Sequence, residues 1–337
     1  MIDNDTALAV LDACDRRRAE RRRFLTLASS GVATLGGLAL LSACKSKSTP
    51  TPTPTPSSSV SPTPTPTSTA ADLDILNFAL NLEYLEAQFY SYAVYGTGLP
   101  AAQTGGTGTM GTVTGGAQVA FSDPLVAQYA REIAADEAEH VAFLRTTLGA
   151  AAVAMPNINI DGGASGAFTA AARAAGVVGA GGTFDPYASD ENFLLGAFVF
   201  EDVGVTAYKG AAPLLSQVYV EAAAGILAAE AYHAGLIRTV LYRKGLATPA
   251  LQLIENAGKI SDARDSLDGP SDDDKGIASP DSGVTSNIVP ADGNGLAYSR
   301  TTGQVLNIAY LSKSAVAAGG FFPTGVNGNI KTSTAEP

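Results

Sequence analysis

The sequence predicts an all-α fold: a four-helix bundle of two pseudo-symmetric helix hairpins, a long crossover between them, and a mostly irregular C-terminal extension. Three observations predict it. Four segments between residues 72 and 248 carry apolar residues at alternating steps of three and four, the spacing of a bundle seam. The second pair of segments repeats the first, with Glu137-Ala138-Glu139-His140 matched by Glu230-Ala231-Tyr232-His233. Stretches rich in Gly, Thr and Ala separate the segments, and such residues punctuate helices.

Residues 1–43 read as a leader and not as part of that fold. Arg21-Arg22-Arg23-Phe24-Leu25 resembles the twin-arginine export signal. The apolar run from Thr26 to Leu41 is too short and too weak to span a bilayer convincingly. Leu41-Ser42-Ala43-Cys44 then matches a bacterial lipobox, which makes Cys44 the lipidated residue. An ordinary signal peptide with a chance cysteine, or an uncleaved anchor, is the alternative. The expected location is the cell envelope, with the protein held to a membrane by its lipid and facing the periplasm or the outside. Residues 44–71 follow as a Ser/Thr/Pro-rich tether with seven prolines between Lys45 and Ala71. Such a segment cannot bury a core, and at ~3.1 Å per residue it reaches at most roughly 80 Å.

Composition limits the chemistry. The chain has 337 residues, 46% hydrophobic and 16% charged, with a net charge of −11. Without residues 1–43, 15 basic and 27 acidic groups remain, a net −12. That surface repels nucleic acid. Both cysteines, Cys14 and Cys44, belong to the leader region, so the remainder has neither a disulfide nor thiol chemistry. No Gly-Lys-Ser/Thr follows the glycines of the loops, which excludes a phosphate loop.

The first helix is expected from Leu73 to Tyr95, with Asp72 as its N-cap and Gly96 and Gly98 as stops. Its seam is Leu73, Leu76, Leu80, Glu83, Ala87, Tyr90 and Val94. A Gly/Thr-rich loop runs to Ser122. Asp123-Pro124 then opens the second helix as a cap followed by proline in the first turn, and Gly149 ends it. Its seam is Val126, Ala130, Ile133, Glu137, His140 and Leu144. Residues 150–190 form the crossover. The third helix, Asn192 to Ala211, carries Leu194, Phe198, Glu201, Val205 and Tyr208. The fourth, Leu214 to Lys244, carries Ala223, Ile226, Glu230, His233, Ile237 and Val240. Residues 72–248 make the bundle and 249–337 the extension. In the extension only Thr301-Thr302-Gly303-Gln304 reads as a capping box, opening a short helix to about Lys313. The extension either wraps the bundle or joins copies of the chain in a homo-oligomer.

Charged residues inside these seams carry the functional reading. Glu83 and Glu201 each lie alone in a seam, while Glu137/His140 and Glu230/His233 are i, i+3 pairs that share one helix face. These are the chain's only two histidines. Four buried carboxylates without counter-charge are strongly unfavourable. Two divalent cations cancel them, with imidazole as a neutral nitrogen ligand. That donor set suits two iron or two manganese ions, and zinc also fits. The alternative is a metal-free core of hydrogen-bonded carboxylates and histidines. Glu86, one turn beyond Glu83, is a rival for its position. Tyr90 and Tyr208, each seven residues after a seam glutamate, are the candidate catalytic residues; the alternative is core packing with a satisfied hydroxyl. Arg145 and Arg238 are expected to form salt bridges at the bundle end, and Glu132, Asp136, Glu139 and Asp202 to lie on solvated faces.

Asn81-Leu82-Glu83 with Tyr90 resembles the first ligand helix of ferritins and bacterioferritins. The similarity is closest to the desiccation-related branch of the ferritin-like superfamily. Leu80 to Ala87, Phe200-Glu201-Asp202-Val203-Gly204, Ser266-Leu267-Asp268-Gly269, Asn287-Ile288-Val289-Pro290 and Gly319-Gly320-Phe321-Phe322-Pro323 carry it. It covers residues 72–330 and implies metal positions at Glu83, Glu137, His140, Glu201, Glu230 and His233. Two functions compete on this reading. One is a redox enzyme that oxidises Fe(II) or removes peroxide, with a small oxidant or metal ion as substrate. The other is a non-catalytic envelope protein of desiccation stress with a structural metal. Iron storage needs a closed shell, which a lipid tether and a large tail disfavour.

Overall fold

The structure is a computed structural model that describes residues 69–279 and 285–336. The leader, Cys44 and nearly all of the tether lie outside the described residues. The helices are α1 (Ala70–Tyr95), α2 (Pro124–Leu148), α3 (Ala167–Ala174), α4 (Asp190–Ala211), α5 (Gln217–Ala247), α6 (Leu253–Asp268) and α7 (Thr302–Ala309). The bundle consists of α1, α2, α4 and α5, with α1 packed along α2 and α4 along α5. No helix among the described residues is long and apolar enough to cross a membrane.

The helix starts follow from local chemistry. Thr69, not Asp72, caps α1. Its hydroxyl accepts the Asp72 N–H while the Asp72 carboxylate accepts the Thr69 N–H, so Asp72 is the third residue of a capping box. Asp72 also accepts the N–H and the hydroxyl of Ser216, which precedes α5. One carboxylate thus ties together the starts of two bundle helices. Gly96, with φ of 72°, ends α1 in the left-handed conformation that glycine adopts without strain. Asp123 caps α2 through the Leu125 N–H, and Pro124 sits in its first turn.

The two long loops are more ordered than their glycine content suggests. Val113–Gly115 (β1) pairs in parallel with Ile158–Ile160 (β2), so the loop of the first hairpin is stitched to the crossover. A short helix, α3, follows β2 and brings Phe168 onto Phe89 and Phe200. These rings, with Phe193 and Tyr187, form an aromatic cluster at one side of the bundle.

The extension is mostly irregular, but it contains the 16-residue α6, which the sequence pattern hides. Its buried positions are Leu253, Ala257, Ile260, Ser261, Arg264 and Asp268, so half of its inner face is polar. The reason lies in its partners. Asp268, Arg300, Asp274, Arg264, Asp202 and Arg238 form a buried chain of alternating charge. The distances are 2.7 Å from Arg238 to Asp202, 2.9 Å from Arg264 to Asp202, and 2.8 Å from Arg264 to Asp274. Three arginines balance three aspartates. Asp202 is therefore not on a solvated face; it is buried and paired twice. Arg238 makes the expected salt bridge, whereas Arg145 donates to the Tyr84 hydroxyl and the Gly105 carbonyl instead.

The tail then returns over the bundle. Phe321 packs edge-on against Phe168 and Phe200. Asn81 of α1 and Asn327 exchange hydrogen bonds, at 2.9 Å from the Asn81 amide to the Asn327 carbonyl and 3.0 Å in return. The helix α7 opens with the expected Thr301/Gln304 capping box but ends at Ala309, because Leu311 turns into the left-handed region with φ of 53°.

Candidate metal centre

The seam residues meet at the middle of the bundle. Glu83 comes from α1, Glu137 and His140 from α2, Glu201 from α4, and Glu230 and His233 from α5. Glu137, Glu201 and Glu230 are fully buried, Glu83 is 1% exposed and His233 5%. His140 is the most open, with 12% of its side chain exposed. Both histidines turn Nδ1 inward. His140 Nδ1 lies 3.2 Å from Glu83, 3.5 Å from Glu137 and 3.8 Å from Glu230. His233 Nδ1 lies 3.1 Å from Glu137 and 3.5 Å from Glu201.

These contacts define two donor groups. Glu83, Glu137, His140 and Glu230 form one, and Glu137, Glu201 and His233 form the other, each with its donor atoms within 4.8 Å of one another. Glu137 belongs to both, facing His233 with one oxygen and His140 with the other. The imidazole rings are 6.2 Å apart.

A cation fits these residues on a direct observation. Both oxygens of Glu137, both of Glu230, one of Glu201 and Nδ1 of His233 are buried without a hydrogen-bond partner. Buried polar atoms are rarely left so, since an unsatisfied one costs about 1–3 kcal/mol and a charged one more. Here they converge on two points, and their oxygen and imidazole character matches iron, manganese or zinc.

The electrostatics follow from burial and crowding. Burial, opposed by His140, pushes Glu83 up to about 7. Burial and the surrounding glutamates, Glu86 foremost, raise Glu230 well above the carboxylate range. Burial would raise Glu137 too, but the two imidazoles beside it pull it below the ordinary range. Against its own burial, His140 is raised to about 12 by Glu83 and Glu137. Without ions the cluster neutralises itself with protons; positive charge is what it calls for.

The two tyrosines brace the centre crosswise. Tyr90 of α1 donates to Glu201 of α4, and Tyr208 of α4 donates to Glu83 of α1. Each hairpin therefore fixes the lone glutamate of the other, using one of its two oxygens and leaving the second for the centre. Burial and the adjacent glutamates raise both phenols well above their usual range, so they stay protonated donors.

Some members of the site are not legible in the spacing. Asp136, expected on a solvated face, is half exposed yet reaches Nε2 of His233 at 3.3 Å. A carboxylate there fixes the ring so that Nδ1 faces inward. Glu132 and Glu139 are exposed, as expected. Glu86 is buried one turn beyond Glu83, but it belongs to neither donor group. Burial and the fields of Glu137, Glu201 and Glu83 raise it well above the carboxylate range. Gly204 is a further member. A Cβ at that position would collide with the Glu230 carboxylate, so glycine on α4 makes room for a ligand from α5. The only sequence signal for it is a glycine inside a helix, which costs ~1 kcal/mol and asks for a packing reason.

Comparison with known proteins bears on the fold. Residues 71–243 match the model of the ferritin-like domain. The ferritin-like catalase Nec2 of Nesocodon mauritianus is 30% identical over 273 residues, covering 77% of this chain and 85% of that protein. The desiccation-related protein PCC13-62 of Craterostigma plantagineum is 31% identical over 271 residues, covering 77% and 83%. No solved structure matches. With a four-helix bundle, paired Glu-x-x-His motifs and these relatives, the chain belongs to the ferritin-like family, in its desiccation-related branch.

Proposed function

We propose that the protein is an exported oxidoreductase of the cell envelope that uses two iron or manganese ions to remove peroxide under oxidative or drying stress. The observation that carries this reading is the set of unpartnered carboxylate oxygens and imidazole nitrogen gathered around two points in the buried core. The similarity to Nec2, a ferritin-like catalase, favours peroxide as substrate. In the overall reaction two molecules of hydrogen peroxide give one of dioxygen and two of water, one being oxidised and the other reduced. A bound metal pair would supply the reversible two-electron capacity for this.

The chain's own residues would do the rest. Glu83, His140 and Glu230 would hold one ion, Glu201 and His233 the other, with Glu137 between them. Tyr90 and Tyr208 keep Glu201 and Glu83 aimed inward by hydrogen bonds. The surrounding aromatic and aliphatic core excludes bulk water. The leader motif and the Cys44 lipobox support a location at a membrane surface, where a lipid and a long tether would hold the domain.

Peroxide consumption by the metal-loaded full chain tests the reading, with Glu137→Ala as control. Turnover that disappears in the variant supports it. A wild-type protein that holds metal but consumes neither peroxide nor Fe(II) would favour the second reading, a stress-protection protein with a structural metal. The observation behind that alternative is the similarity to PCC13-62, a desiccation-related protein.

A further inference from the structure

An apolar groove enters the bundle at the end where α2 and α4 finish and α1 and α5 begin, and all four helices line it. Its lining includes Ala79, Leu144, Tyr208, Ala223 and Ile226. Ala79 lies four residues before Glu83, Leu144 four after His140, and Ile226 four before Glu230. Each is one helical turn from a member of the first donor group. Tyr208 itself donates to Glu83. The groove therefore ends about one helical turn from one half of the centre, the Glu83–His140–Glu230 side.

Its chemistry is selective. No charged side chain lines it, and among the lining side chains only Thr147, Tyr208 and Tyr219 carry a polar atom. A hydrated Fe(II) or Mn(II) ion, or superoxide, would shed water there and gain no counter-charge, which is strongly unfavourable. Dioxygen loses little by entering apolar surroundings, and uncharged hydrogen peroxide gives up hydrogen bonds to water but no ionic hydration, with the hydroxyls of Thr147, Tyr208 and Tyr219 as replacement partners along the groove. Charged groups meet the centre elsewhere, where half-exposed Asp136 touches His233 on the flank formed by α2 and α5.

We propose that this groove is the entry path by which a small uncharged oxidant, hydrogen peroxide or dioxygen, reaches the Glu83–His140 side of the centre, and that metal ions do not use it. This deepens the two-metal reading and rests on it. Crystals of the metal-loaded full chain under xenon pressure should show xenon along the groove beside Tyr208. Ala223→Phe fills the groove near its middle. Ala222→Phe, at a less buried position in the same lining, serves if the first variant fails to fold. Each should exclude xenon and keep the wild-type metal content. The second-order rate with oxidant should fall about ten-fold, an added entry barrier of ~1.4 kcal/mol. A fall for peroxide alone, or for dioxygen with the reduced metals alone, identifies the oxidant. Wild-type rates for both in a plugged variant that retains its metal, or no xenon in the wild-type groove, would overturn the path alone. A wild type that cannot be loaded with metal would overturn the two-metal reading and the path with it.

Discussion

At the scale of single residues, the centre depends on side chains that are held, not merely present. Glu137 is shared by both donor groups and has no other partner for either oxygen. Glu83 and Glu201 each take a tyrosine hydroxyl from the opposite hairpin. Tyr90→Phe and Tyr208→Phe should therefore each weaken metal binding about 10–100-fold, as loss of an outer hydrogen bond to a ligand does. Competition with a chelator measures this, and equal effects of the two variants would reflect the crossed bracing. Gly204→Ala should displace Glu230 and lower affinity at the first donor group with the helical content unchanged, as read by metal titration beside circular dichroism. The six principal site residues were legible because glutamate and histidine interrupt apolar seams at helical spacing. Asp202 was not, since its partners Arg238 and Arg264 lie 36 and 62 residues away in sequence. A lone acid next to a seam glutamate looks like a solvated face until those partners are placed.

At the scale of elements, each bundle helix presents two chemistries on two faces. Glu201 and Asp202 are adjacent on α4, and ~100° of helical rotation sends one to the metal centre and the other to the arginine chain. Helix starts were legible through Asp123-Pro124, and partly at α1, where Asp72 proved to be the third residue of a capping box. Asp72 also anchors Ser216, and its hydrogen bonds hold its carboxyl down to about 2. A carboxylate depressed in the folded state adds stability that is present above its unfolded pKa and is lost as pH falls, here between about 4 and about 2. Asp72→Asn should lower Tm by about 2–4 °C at pH 7, a gap that closes as pH approaches 2; thermal melts across that range check it. The helix α6 was hidden because its inner face carries Ser261, Arg264 and Asp268, and a polar seam reads as loop when its counter-charges are not in view.

At the scale of the whole molecule, the extension acts as part of the bundle's core. Arg300, Asp274 and Asp268 bring it against Arg264, Asp202 and Arg238, while Phe321 and Phe322 are buried among bundle and tail residues. Buried ion pairs add little compared with an apolar core, but removing one partner leaves an uncompensated charge at a cost of ~3–5 kcal/mol. Arg238→Met should destabilise the protein by about that amount in chemical denaturation, since it also loses the carbonyls of Lys275, Gly276 and Asn287. Elemental analysis of the full chain after reconstitution with Fe(II) or Mn(II), beside Glu137→Ala, is the sharpest test of whether these six residues hold two ions. About two ions per chain, lost in the variant, are expected. No bound metal in the wild type, or equal content in both proteins, would contradict that expectation.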